Sequence, residues 1–76
     1  MVLSKHLYEK LIQHEVGITM RPINNFMFVD FKKDRCEVSI CLDLSKPEAH
    51  NQKVLSDLFY RYILAYETHG YWKEEK

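Results

Sequence analysis

The chain has little glycine and little proline, two of each in 76 residues. That excludes a linker-rich or collagen-like chain. It carries no excess charge: eleven basic residues offset eleven acidic ones. Neutralising phosphate supplies most nucleic-acid affinity, so this composition gives no general argument for a nucleic-acid binder. Copies near neutral pH also lack mutual repulsion, which is compatible with self-association. No apolar run approaches the ~18 residues that a membrane span needs. The opening MVLSKHLYEK has no apolar signal core, so a cytoplasmic chain with no membrane partner is expected. There are two cysteines, Cys36 and Cys41, both in one expected strand. At ~3.3 Å per residue they lie roughly 16 Å apart, beyond the ~7 Å Cα limit for a disulfide. Reduced thiols are expected.

What is present is the mix of a folded chain, 46% hydrophobic and 29% charged, and its length allows one small domain over residues 1–76, with 73–76 frayed. Such a chain buries only about 60–65% of its unfolded surface and is marginal alone. Without disulfide staples, the remaining common remedy is oligomerisation.

Leu3, Leu7, Tyr8, Leu11 and Ile12 recur with a 3.6-residue period, predicting a helix over 3–15 with this stripe buried and Gly17 as its left-handed stop. Ile18–Arg21 is a candidate first strand before the turn residues Pro22, Asn24 and Asn25. Phe26–Phe31 and the alternating Cys36–Leu44 predict a hairpin. A Lys33-Asp34 turn, or a longer loop over Lys32–Arg35, sets Phe31 opposite Cys36, Val29 opposite Val38 and Met27 opposite Ile40, with apolar groups on one face. Ser45, Pro47 and Glu48 read as a capping box opening a helix over 46–69. Leu55, Leu58, Phe59, Tyr62 and Tyr66 form its buried stripe; Gly70 stops it, and Tyr71 closes back on Tyr66. The expected fold is a two-layer α+β domain, α-β-β-(β)-α, an antiparallel meander with both helices on one sheet face.

The sequence gives little support to catalysis. His6 and His14 are eight residues apart, and no Cys-x₂-Cys pair or His-x₃-His pair is present, so no metal site is expected. Cys36 falls on the core face, where a thiol is inert, and Cys41 on the other with no histidine nearby. Phosphate-binding glycine loops and a Gly-x-Ser-x-Gly elbow are missing. Asp30 and Glu37 would oppose each other across the hairpin, with Lys32 and Arg35 placed to neutralise them diagonally. No catalytic residue, metal or cofactor is expected.

Two surfaces suggest partners instead. Lys32, Lys33 and Arg35 at the hairpin tip, with Lys10 and His6 on the first helix, make an alternative nucleic-acid surface. The element order is also that of double-stranded-RNA-binding domains, a resemblance in topology alone. That family has a lysine cluster opening its last helix, whereas here Lys46 and Lys53 stand among Glu48, His50 and Asn51. The stronger anomaly is surplus apolar surface. Tyr60 and Leu64 fall opposite the buried stripe of the last helix, Phe26 and Phe28 point away from the core face, and Trp72 lies in the tail. The leading expectation is a non-enzymatic protein–protein interaction module, an adaptor, regulator or inhibitor of the kind found among phage, plasmid and bacterial accessory proteins. It would be homodimeric and bind a further protein through Phe26, Phe28, Tyr60, Leu64 and Trp72. Nucleic-acid binding through Lys10, Lys32, Lys33 and Arg35 is the alternative.

Overall fold

A computed structural model of the chain describes residues 3–70. Ser4 opens the first helix, α1 (Lys5–Gln13): its Oγ accepts from the Leu7 N–H at 3.2 Å, filling one of the helix's unmatched donors. The helix ends earlier than the glycine suggests. Glu15, not Gly17, takes the left-handed conformation, at φ +56°. Val16 N–H bonds to Leu11 O at 2.9 Å and Glu15 N–H to Ile12 O at 3.1 Å, the paired bonds of a Schellman stop. The buried side chains of Val16 and Leu11 accompany it. Gly17 instead begins β1 (Gly17–Ile23). The expected stripe was also too wide. Leu7 and Leu11 are buried, but Tyr8 and Ile12, each 100° further round, are exposed, because a sheet of three strands covers only a narrow arc of the helix.

β1, β2 (Phe26–Lys33) and β3 (Cys36–Asp43) form an antiparallel meander in the order β1-β2-β3. The expected hairpin register is corrected by two residues: Phe31 faces Val38, Val29 faces Ile40, Met27 faces Leu42, and Lys33 faces Cys36. The turn is Asp34-Arg35. Its first residue takes φ +55°, which aspartate tolerates far better than lysine, so the turn settles one residue later than Lys33-Asp34. Asn24 plays the same part at φ +55° between β1 and β2. A shift of two preserves the pleat, so the apolar face survives while every partner changes. Asp30 therefore faces Ser39, whose Oγ donates to Asp30 Oδ1, and Glu37 faces Lys32. The expected Asp30–Glu37 pair does not form.

The second helix, α2 (Glu48–His69), starts after Pro47, not Ser45. Ser45 does not cap it: the helix begins two residues later, and the Ser45 N–H and Oγ are turned back to Asp43, both donating to its Oδ1, at 2.9 and 2.6 Å. Gly70 ends it at φ +75°, its N–H bonding to Tyr66 O, as the sequence indicates. Tyr71 and its expected closure on Tyr66 lie outside the described residues, as do Trp72 and the tail.

Both helices cover one sheet face. Leu7 and Leu11 of α1 and Leu55, Leu58, Phe59 and Tyr62 of α2 join Met27, Val29, Phe31, Cys36, Val38 and Leu42 in one core. Phe31 stands edge-on to Phe59, with centroids 5.5 Å apart, and 5.8 Å from the Tyr62 ring. The Tyr62 hydroxyl donates to Cys36 O at 2.6 Å, and burial pushes its pKa well above the ordinary phenol value. One core residue was not foreseen: Asn51 is buried, its Nδ2 donating to Asp43 O at 2.9 Å. Asn51→Ala is expected to cost about 1–2 kcal/mol in urea unfolding. The cost stays small because Lys46 N–H still reaches the same carbonyl.

Candidate interaction surfaces

The face of the sheet away from the helices follows from the register. Odd residues of β1 and β3 and even residues of β2 lie on it, in four cross-strand rows: Ile23-Phe26-Asp43, Arg21-Phe28-Cys41, Thr19-Asp30-Ser39 and Gly17-Lys32-Glu37. The rows divide by chemistry. Ile23, Phe26, Phe28 and Cys41 gather at the end nearest the β1–β2 turn, and the polar and charged groups occupy the other end. Phe26 is 44% exposed and Phe28 half-buried. Arg21 and Asp43 flank this apolar end on opposite edges.

Ser45's two bonds to the Asp43 carboxylate hold it below the ordinary carboxylate range, and the nearby Lys46 helps against a small desolvation effect. A carboxyl depressed in the fold adds stability that is present above its unfolded pKa and lost as pH falls through the folded one. Ser45→Ala should therefore move the Asp43 titration upward in carboxyl ¹³C NMR. An unmoved midpoint would contradict the assignment.

A second apolar surface lies on the outer side of α2. Leu64 is 66% and Tyr60 48% exposed, on the side away from the core as the sequence reading placed them. The two are not alike. Tyr60 is tied to α1 through a 2.7 Å hydrogen bond between its hydroxyl and His6 Nε2, whereas Leu64 stands clear. Tyr60 and Leu64 are on the opposite side of the domain from Phe26 and Phe28, so the named residues form two surfaces, not one.

The basic residues named for the alternative do not converge. Successive strand residues point to opposite faces, so Lys32 lies on the open sheet face and Lys33 turns toward the helices. Lys33 Nζ donates to His14 O at the α1 C-terminus, at 2.6 Å, and stands 4.8 Å over the Tyr66 ring. Its charge there complements the helix dipole. Tyr66 in turn donates to Asp34 Oδ2 at 2.6 Å, fastening the hairpin turn to α2. That bond, before burial, raises the Tyr66 pKa. Lys33 thus works as a clasp between three elements, a role that the cluster at the hairpin tip concealed. Lys10 reaches Gln13 Oε1 at 3.4 Å, and Arg35 is exposed in the turn.

No family model, curated protein or solved structure matches the chain. The surfaces therefore carry the functional argument by themselves. Among the described residues no three His, Cys, Asp or Glu side chains are grouped to hold a metal ion, and no helix is long and apolar enough to cross a membrane.

Proposed function

We propose that this chain is a non-enzymatic protein–protein interaction module, an adaptor, regulator or inhibitor that acts in the cytoplasm as a homodimer and docks a further protein. One observation carries the proposal: both helices lie on one side of the sheet, and the other side bears Ile23, Phe26, Phe28 and Cys41 together. Aromatic side chains grouped on an uncovered face are the usual anchors of an interface, since they bury much area for little loss of side-chain freedom. The polar rows beside them supply a rim. The outer side of α2, with Tyr60 and Leu64, is the second candidate.

Two surface variants separate the candidates. Phe26→Glu with Phe28→Glu charges the sheet face, and Tyr60→Glu with Leu64→Glu charges the helix face. Loss of partner binding in one variant, with the far-UV circular dichroism of the wild type, identifies the docking surface. Unchanged binding in both, with both folded, contradicts the proposal.

A further inference from the structure

We propose that a second copy of this chain pairs along the outer edge of β3, antiparallel and centred on Ser39, to give a continuous six-stranded sheet. This takes the homodimer of the preceding section as its premise and says where the copies meet. Residues in an antiparallel ladder alternate between those bonding inward and those whose N–H and C=O point to the free edge. The two-residue turns set that alternation. Cys36, Val38, Ile40 and Leu42 bond to β2, which leaves Glu37, Ser39 and Cys41 directed outward from β3. All three are exposed. On β1 the outward residues are Ile18, Met20 and Pro22.

The two edges are not equivalent. Pro22 has no N–H to offer a further strand, the usual device that blocks an edge. The β3 edge has no proline, glycine or lysine from Cys36 to Asp43, and among the described residues its outward backbone groups meet nothing until Asp43. There the carbonyl accepts from Lys46 N–H and Asn51 Nδ2. Three consecutive outward residues are thus open to pairing, and a fourth is closed.

That pattern selects a register. With Ser39 opposite the second copy's Ser39, Glu37 faces Cys41 and Cys41 faces Glu37, so every open backbone group is used. Each of these three pairs exchanges two N–H···O bonds. Beyond the three pairs, the turn residue Arg35 of each copy lies at the end of the new ladder that holds the other copy's Asp43, an attraction of opposite charges made twice. On the core face Val38 meets Ile40, which is only partly buried within one copy. A register centred on Ile40 fails because it sets Glu37 against Asp43, two like charges, and calls on the carbonyl already taken. One centred on Val38 leaves Cys41 facing a turn residue. The Ser39 register also places both open apolar faces on the same side of the joined sheet.

The experiment combines covalent trapping with solution mass. Residues directly opposite in a bonded antiparallel pair have Cα atoms ~5.5 Å apart, within disulfide range, whereas two Cys41 residues would be roughly 14 Å apart. Ser39→Cys is therefore expected to cross-link as a dimer under mild oxidation through its new cysteine, with Cys41→Ser added to remove the exposed native thiol, Cys36 being buried. Ser39→Pro removes an outward N–H and no backbone bond to β2, although the Ser39 hydroxyl's bond to Asp30 goes with it, and Arg35→Glu reverses the twofold attraction. Both are expected to weaken the dimer at least tenfold in sedimentation equilibrium, Arg35→Glu serving where the proline disturbs folding. A wild-type dimer that neither variant weakens and Ser39→Cys does not trap overturns the edge assignment alone. A wild type that is monomeric throughout overturns the homodimer as well.

Discussion

Phe31→Ala is expected to remove most of the domain's stability. The ring is fully buried at the centre of the core, edge-on to Phe59 and beside Tyr62, so it joins the sheet to α2. Truncating a buried phenylalanine costs about 3–5 kcal/mol, through lost transfer energy and the cavity left behind. A domain of this length has only about 4–11 kcal/mol in total. The variant should unfold at a far lower urea concentration than the wild type, and at 37 °C a measurable fraction should already be unfolded. A loss under about 1 kcal/mol would mean that α2 does not rest on β2 as described.

Phe26→Glu with Phe28→Glu should have the opposite profile, a small effect on folding and a large one on binding. Both side chains lie on the helix-free face, so their loss opens no cavity in the core. The cost to folding is about 1–2 kcal/mol, from weaker strand preference and lost cross-strand contact. In an interface, each aromatic anchor contributes at least about 2 kcal/mol. Two carboxylates that resist desolvation replace them, so partner affinity should fall at least about 100-fold. Equal binding by the variant and the wild type in titration calorimetry would exclude this face as the docking surface.

The sequence made the layers legible because apolar periodicity survives small errors of register. Met27, Val29 and Phe31 stay on one face whether the turn is at Lys33 or Asp34, so the sheet's two sides were readable although every cross-strand pair moved by two. What was not readable depended on competing local hydrogen bonds. Ser45 matches a helix cap in sequence, but it is turned back to Asp43, two residues earlier, and donates to it twice. Gly17 looks like a helix stop, yet Glu15 accepts the strained conformation because Val16 and Leu11 bury together beside it.

The same distinction holds at the candidate surfaces. Phe26 and Leu64 were identifiable as surplus apolar groups because the core has a countable number of places. The single clue to Lys33 as a clasp was strand alternation, which turns it away from Lys32 and toward the helices. Asn51 gave no signal in the sequence, since its partner is the Asp43 carbonyl and a backbone acceptor leaves no mark on residue pattern.

Sedimentation equilibrium of the wild-type chain from one to several hundred micromolar tests most directly whether this fold is incomplete alone. A mass of twice 9.2 kDa at the lower end of that range is the expected result. A constant 9.2 kDa at every concentration would contradict it.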